Sequence, residues 1–321
     1  MIAKSRMTWQ FLCVLTLALA APALLRADYR SEKHFKLDPG GRLVLDSSEG
    51  SVEINGSSEA GARVIVTSNR DDVEKLFDFH FEESAGEVRI VVRRHGWGTW
   101  GWSHGPNLRF NITVPEDTAA EVKTGGGGVE ASRIKRETEL STSGGSIKAS
   151  DLGANLRAHT SGGSIELNDI KGTARVDTSG GGIRAESLGG ALEAKTSGGS
   201  IELQEVKGDL VAHTSGGSIR IDGAGGRVEA GTSGGSVDVR FAPGNSRGGD
   251  LESSAGGVRV AIDRSANLNL DASASAGSVI TDLPLQVSGT IGRSHVVGTL
   301  GSGGPLLRAH SSAGSVHIEA L

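Results

Sequence analysis

The sequence feature that most constrains the fold is a short motif, Thr-Ser-Gly-Gly-Ser-Ile or a close variant, that recurs at a constant interval. Successive copies begin 18 residues apart. A strict period of this length is typical of proteins built from equal stacked units, in which each repeat contacts only its neighbours. The copies begin at Thr142, Thr160, Thr178, Thr196, Thr214 and Thr232.

One repeat, residues 164–181, contains two short runs in which apolar and polar side chains alternate. Ile165 and Leu167 would face one way and Glu166 the other, and residues 174–178 alternate in the same manner. A period of two is the pattern of a β-strand with one buried face. The Asn-Asp and Gly-Gly pairs that separate the runs are typical of turns. Each repeat therefore predicts two short strands joined by tight corners.

Residues that occupy the same place in successive repeats form columns of uniform character. Because one repeat cannot bury its own apolar face, the repeats must stack in parallel, about 4.8 Å apart, around a narrow core. The sequence therefore predicts an all-β fold, a single-chain parallel β-helix (β-solenoid) with 18-residue coils, right-handed by the general crossover preference. The apolar column is Ile147, Ile165, Ile183, Ile201, Ile219 and Val237, and the next column is Lys148, Glu166, Arg184, Glu202, Arg220 and Asp238.

The first residues indicate export. Lys4 and Arg6 precede an apolar run over residues 11–20, and small residues around Ala23 and Ala27 offer cleavage points. This order is typical of a secretory signal peptide, which we place at residues 1–27, and it predicts an extracytoplasmic location, periplasmic or secreted. The single cysteine lies within this leader, so the mature chain would contain no disulfide. No later apolar run is long enough to cross a bilayer.

The charge balance argues against two classes of partner. Removing the predicted leader takes away three basic residues and no acidic one, which leaves 30 basic against 38 acidic side chains. An acidic excess disfavours nucleic acid and anionic membrane surfaces.

The remainder divides into residues 28–122, a β-rich N-terminal cap that contains β-hairpins, and residues 123–321, the parallel coils. Residues 43–54 align without a gap on residues 192–203, so one early coil lies within the cap. Longer alternating runs after it predict antiparallel hairpins that shield the open edge of the solenoid. Beyond residue 241 the equivalent positions are Ser253 and Ala274, and the 37-residue interval from Ala274 to the last copy fits two more coils.

A Trp/Gly loop, residues 94–105, carries the most direct hint of function. It holds Trp97, Trp100 and Trp102, which are all the tryptophans of the mature chain. Exposed tryptophans can stack on sugars, enter an interface or rest at a membrane surface. The alternative is that the loop folds back on the cap as a hydrophobic plug. We take these three residues as the candidate ligand or partner contacts.

Several motifs together resemble one protein family. They are the early coil Gly-Ser-Val-Glu-Ile at residues 50–54, the strand Phe-Asn-Ile-Thr-Val-Pro at residues 110–115, the Ser-Gly-Gly-Ser-Ile series and the Gly-Gly-Pro at residues 303–305. This set is similar to the DUF4097 family of adhesin-like β-helix proteins of the bacterial envelope, and it spans most of the mature chain. The resemblance implies adhesion at the envelope and brings no catalytic residues with it. The tryptophan loop is not part of the family pattern.

An enzymatic function is the main alternative, because some β-helices are polysaccharide lyases or hydrolases. Such chemistry needs acid and base groups clustered on one strand face. The best candidates are His159, Asp177 and Lys195, which would be neighbours in successive coils. Alternating surface charge explains them more simply. The histidines are scattered, so the sequence predicts no metal and no cofactor.

The threonine column has a structural interpretation. We expect its hydroxyls to hydrogen-bond to turn backbone and to each other, as Ser and Thr commonly do. The sequence as a whole predicts a non-enzymatic, secreted or periplasmic adhesin-like protein with a binding or scaffold role, whose partner is an envelope glycan or a surface protein. The alternatives are a carbohydrate-active enzyme on the same fold and a ligand-free structural spacer.

Overall fold

The computed structural model describes residues 29–95, 107–287 and 292–321. Within those residues the chain forms 29 strands and one short helix, α1 (Val73–Leu76). The strands make two long sheets of 14 and 15 strands, here called sheet A and sheet B, whose inner faces enclose one continuous apolar core.

Sheet A reads, from its N-terminal end, β1 (Tyr29–Phe35), β4 (Ala62–Ser68), β7 (Arg109–Pro115), β3 (Ser51–Ser57), β9 (Val129–Ile134), β11 (Ile147–Leu152), β13 (Ile165–Ile170), β15 (Ile183–Leu188), β17 (Ile201–Val206), β19 (Ile219–Ala224), β21 (Val237–Phe241), β23 (Val258–Ile262), β29 (Val316–Ala320) and β25 (Val279–Thr281). Sheet B reads, from the same end, β5 (Phe77–Ser84), β6 (Glu87–Arg94), β2 (Arg42–Ser47), β8 (Ala119–Thr124), β10 (Thr138–Thr142), β12 (Leu156–Thr160), β14 (Ala174–Thr178), β16 (Leu192–Thr196), β18 (Leu210–Thr214), β20 (Val228–Thr232), β22 (Gly249–Ser253), β28 (Leu306–Ser311), β24 (Leu268–Ala274), β27 (His295–Leu300) and β26 (Gln286–Val287).

The central coils have the register that the period predicts. Each coil contributes one strand to each sheet, and Ile165 lies between Ile147 and Ile183 in a parallel ladder. These side chains are buried, whereas Glu166 in the next column faces out. The predicted solenoid of stacked parallel coils is therefore confirmed.

One corner of each coil contains a residue in the left-handed conformation, which simple alternation did not reveal. Asp151 and Asp169 have φ of 51° and 53°, and the strand pairing skips them, so that Leu152 pairs directly with Ile170. The skipped residue turns the chain enough to place a third apolar side chain per coil in the core. The Asn168-Asp169 pair in the sequence predicts only a turn. The left-handed column is Arg133, Asp151, Asp169, Ser187, Glu205 and Gly223.

The early coil is not at the end of the stack. Its strands β2 and β3 lie between β6 and β7 on one side and β8 and β9 on the other. Leu43 pairs with Ala120, and Val52 pairs with Val129, so residues 43–54 hold the register predicted from their alignment with the repeats. The early coil thus joins the cap strands to the regular coils.

The cap contains antiparallel pairs, as the longer alternating runs predicted. Strand β5 pairs antiparallel with β6, and β4 pairs antiparallel with both β1 and β7. Four aromatic rings pack against the core at this end: Phe79 stacks on Tyr29 and on Phe81 with centroids 6.4 and 6.5 Å apart, and Phe81 stacks on Phe35 at 5.9 Å. These rings close the N-terminal end of the core.

At the other end the expected arrangement is wrong in two respects. The interval from Ala274 to Ser311 holds short strands instead of two coils, and β27 pairs antiparallel with both β24 and β26. The last coil, β28 and β29, is inserted between β22 and β24 in sheet B and between β23 and β25 in sheet A. Ser253 therefore pairs with Ser311, and Ser311 with Ala274. The constant interval is lost here because β24 and β25 form one coil position beyond β22 and β23. The later strands β28 and β29 then occupy the position between them.

Candidate functional site

The threonine column lies at the corner where each sheet B strand ends. The Thr178 hydroxyl donates to the Gly163 carbonyl oxygen at 2.8 Å and accepts from the Gly181 amide at 3.4 Å. The other central threonines repeat both bonds, and Ser253 and Ser311 make the same pair with hydroxyls of their own. Since donor and acceptor are both used on backbone, the expected bonds between neighbouring threonines are not formed in the part of the chain that the structure describes. The column stabilises the corner.

Replacing Thr178 by valine is expected to lower the free energy of unfolding by about 1–3 kcal/mol, because the part-buried Gly163 carbonyl and Gly181 amide each lose a partner. Thr178→Ser is the matched control, and it should cost much less because serine fills this column naturally at positions 253 and 311. Urea unfolding of both variants measures the difference. Equal decreases in the free energy of unfolding for Thr178→Val and Thr178→Ser would contradict the structural role assigned to the hydroxyl.

The outward column of sheet A is an alternating ladder of charge. Arg184 contacts Glu202 of the next coil at 2.6 Å, and Lys148 contacts Glu166 at 3.7 Å. Exposed pairs of this kind add little stability individually, but opposite charges alternate along the described column. The alternating set is Glu130, Lys148, Glu166, Arg184, Glu202, Arg220, Asp238 and Arg259.

The structure brings together two of the three candidate catalytic residues on sheet B. His159 Nδ1 lies 2.5 Å from Asp177 Oδ1 in the next coil, with both side chains half exposed. The Lys195 ammonium instead contacts Glu193, two residues earlier on the same strand, at 2.6 Å. Opposite charges along and across strands therefore account for the arrangement, and Lys195 does not complete a cluster with the other two.

The candidate contacts Trp97, Trp100 and Trp102 lie outside the described residues. Both flanks of their segment are held at the cap. The Asn107 amide donates to Asn69 Oδ1 at 2.8 Å. The His95 ring lies 2.7 Å from Asp78 Oδ1 and 3.1 Å from the Lys75 carbonyl oxygen, and these hydrogen bonds, with Asp78 the larger influence, raise the pKa of His95.

Three cavities of about 350, 340 and 240 Å³ occupy equivalent positions along sheet A. Each is lined by the Ser or Gly corner residues of adjacent coils and by the first outward charged residues. In the middle one these are Ser164, Glu166, Arg184, Ser200 and Glu202, among others. The recurrence follows from the coil geometry, and it gives this face a series of similar shallow recesses.

Sheet B has one larger depression, of about 650 Å³, centred on Gly231. Glycine stands there in a column that carries side chains in the preceding coils. The His213 ring leans over the gap, with its Nε2 3.3 Å from Glu229, and Asp250 and Glu252 border the far side. The signal available in the sequence was a single glycine in an otherwise side-chain-bearing column.

The largest of these cavities, about 840 Å³, lies at the C-terminal end of the core. Six of its ten lining residues are aliphatic, and they belong to β25, β26, β27 and the segment between β25 and β26. The sequence gives no signal for this cavity, because the interval between Ala274 and Ser311 has a length that also fits regular coils.

Within residues 29–95, 107–287 and 292–321, no cluster of three or more His, Cys, Asp or Glu side chains has the arrangement of a metal site. No helix among those residues has the length and apolar character needed to span a membrane.

The sequence matches the family described as Toastrack DUF4097 over residues 41–319, which includes the early coil, the repeats and the inserted last coil. The chain belongs to this family. The resemblance inferred from the coil motifs is confirmed. No curated protein shows significant sequence similarity to this Toastrack chain.

Solved structures similar to this Toastrack chain share little sequence with it. A "putative adhesin" from Bacteroides fragilis NCTC 9343 is 13% identical, with 91% of this chain and 97% of that chain covered and a TM-score of 0.34. A "putative lipid binding protein" from Parabacteroides distasonis ATCC 8503 is 12% identical, with 91% and 96% covered and a TM-score of 0.34. A "putative cell adhesion protein" from Clostridium sporogenes ATCC 15579 is 12% identical, with 91% and 100% covered and a TM-score of 0.24.

Proposed function

We propose that this Toastrack chain is a non-enzymatic, extracytoplasmic, adhesin-like protein that binds an envelope glycan or a surface protein. The observation that carries the proposal is the register of the outward columns. Fourteen strands of sheet A, at a spacing of ~4.8 Å, give a stiff lateral face about 60 Å long on which similar recesses recur. Solenoid proteins commonly use such extended surfaces for binding.

The chemistry of the described faces supports binding over catalysis. Most outward charged side chains contact an opposite charge on the same strand or in the adjacent coil, as Arg184 does with Glu202 and Lys195 with Glu193. General acid–base catalysis needs a proton donor and acceptor that both reach one substrate bond. Paired surface charges instead favour a face that recognises a partner through many weak contacts.

The location rests on the N-terminal sequence. Residues 1–27 have the order of a secretory leader, and the remaining chain holds no cysteine. Its stability then depends on the hydrogen-bonded ladders and the core, which need no reducing environment. We place the mature protein outside the cytoplasm on this basis.

The tryptophan segment is the proposed specific contact. Its described flanks, His95 and Asn107, are held at the cap by hydrogen bonds to the Lys75 carbonyl oxygen and to Asn69. Alternation of tryptophan with glycine suits stacking on sugar rings or on an apolar protein surface.

The experiment is binding of the purified protein to an array of envelope glycans and to envelope extract. We expect a specific partner whose binding falls at least tenfold when Trp97, Trp100 and Trp102 are all replaced by alanine. The triple phenylalanine variant is the matched control, and it should retain much of the binding because it keeps the aromatic faces.

A carbohydrate-active enzyme is the second candidate, and the close contact of His159 with Asp177 is the observation in its favour. Release of soluble products from envelope polysaccharides, abolished in Asp177→Asn, would establish it and overturn the binding proposal. A protein that captures no partner, and whose triple alanine variant leaves every envelope phenotype unchanged, would be a structural spacer.

A further inference from the structure

The two ends of the solenoid core are closed differently. At the N-terminal end the stacked rings of Tyr29, Phe35, Phe79 and Phe81 pack against the core. At the C-terminal end the last strands are short, since β25 has three residues and β26 has two. The cavity of about 840 Å³ lies between these two strand edges and opens to solvent.

Six of the ten residues that line this cavity are aliphatic. Leu283 belongs to the core, and Val279 and Leu285 pack against it. Ile280 is 52% exposed and Val287 is 38% exposed, which places them among the few large apolar side chains exposed on the described surface. A concave site of several hundred cubic ångströms with such a lining is typical of small-molecule pockets, and occupation by an apolar group would remove these side chains from water.

One charged side chain lines the cavity, and it is Arg293. Its backbone carbonyl oxygen accepts from the Val279 amide at 2.9 Å, which fixes this residue beside the last strand of sheet A. Its guanidinium makes no ion pair with any residue of the described chain. Asp282, which follows the lining residue Thr281 in the chain, lies 3.9 Å from Arg264 and is matched by that charge. An aliphatic pocket with one cation fits a ligand that has an apolar tail and one anionic end.

We propose that the C-terminal cavity binds a free fatty acid, with its acyl chain between β25 and β27 and its carboxylate at Arg293. This inference is independent of the adhesin-like function proposed above, because it concerns the C-terminal end of the described solenoid and uses none of the residues on which that proposal rests.

Two other occupants fit the site less well. A second copy of the chain would present the same concave mouth across a two-fold axis, which would leave a void instead of a packed contact. Strand-to-strand pairing between copies is also poorly supported by edges of two and three residues. An anionic membrane surface would repel the net negative charge of the mature chain. Arg293 is the single cation at the cavity that would oppose this repulsion.

The test is titration of the purified protein with a dansyl-labelled undecanoic acid, followed by displacement with unlabelled palmitate. We expect saturable binding of one probe per chain. Ile280→Glu and Val287→Glu should each weaken it at least tenfold. Leu306→Glu is the matched control, because Leu306 is 40% exposed on β28 but does not line the cavity, and it should bind as the unmodified protein does.

A second comparison tests the role of Arg293 without depending on the apolar variants. Arg293→Gln is expected to weaken palmitate binding about tenfold and to leave binding of hexadecanol unchanged, since the alcohol has no charge to lose. Circular dichroism confirms that each variant is folded.

Four results would overturn the proposal. They are the absence of saturable binding, equal weakening by Leu306→Glu, binding of the probe only in the presence of anionic vesicles, and a dimer in light scattering that Ile280→Glu dissociates. The last two would assign the cavity to a membrane surface and to a second copy of the chain, respectively.

Discussion

Truncation of the chain after Pro305 is expected to unfold residues 268–300 while the central coils stay folded. Strand β24 pairs with β27 and β28, and β25 pairs with β29, so removal of β28 and β29 leaves the end strands without a ladder to the rest of the described solenoid. An isolated group of short strands is not stable in water. Hydrogen exchange followed by mass spectrometry should show complete loss of protection in residues 268–300 and retained protection in β9 to β21.

Two substitutions in β29 provide a sharper version of the same test. Val316 is fully buried, and Val316→Asp places an unpaired charge in the core, which should release the end strands nearly as completely as the truncation. His317 faces outward on the same strand, so His317→Asp should change the free energy of unfolding by no more than about 0.5 kcal/mol. Retained protection of residues 268–300 in the truncated chain would show that the inserted coil does not hold them.

Replacing Gly181 by alanine is expected to lower the free energy of unfolding by about 3 kcal/mol or more. A Cβ at this position would lie 2.0 Å from the carbonyl oxygen and 2.4 Å from the carbonyl carbon of Gly163 in the preceding coil. Those atoms are backbone of the stacked corner between two strands, so the clash cannot be relieved by rotation of a side chain. Forced overpacking of this kind commonly costs 1–3 kcal/mol and sometimes more.

Gly180, the adjacent residue, is the matched control. A Cβ there would be 3.3 Å from the Gly162 carbonyl oxygen, which a small shift relieves, so Gly180→Ala should cost about 1 kcal/mol or less. The chain itself supports the distinction. The column of Gly180 holds alanine at positions 255, 276 and 313, whereas the column of Gly181 is glycine in each of those coils. Equal unfolding midpoints for the two variants in urea would contradict the packing argument.

The regular part of the fold could be predicted because its information is local and repeated. Residues similar to Ile165, Glu166 and Thr178 recur at the same interval. One repeat therefore shows which positions lie inside, outside and at the corner in every repeat. The corner glycines and the threonine hydroxyls then follow from the close approach of adjacent coils. The left-handed residue at Asp169 was missed, because several residue types occupy that column and the turn they form is defined by backbone shape.

The candidate sites were less accessible to the same reasoning. Stacking predicted that His159 and Asp177 would be neighbours, and they are. It could not predict that Lys195 would prefer Glu193, because that choice depends on competition between contacts along a strand and across strands. The role of Trp97, Trp100 and Trp102 stays a prediction, since those residues lie outside the described chain.

By itself the sequence determined the coil length, the inward and outward columns and the early coil at residues 43–54, because the side chains repeat at the spacing of the structure. Only the tertiary structure decided the order of the coils at the two ends. Every strand edge offers the same backbone donors and acceptors, so the period cannot specify that β28 and β29 enter between earlier strands. That insertion, and the short strands it leaves at the edge, produced the aliphatic cavity beside Arg293.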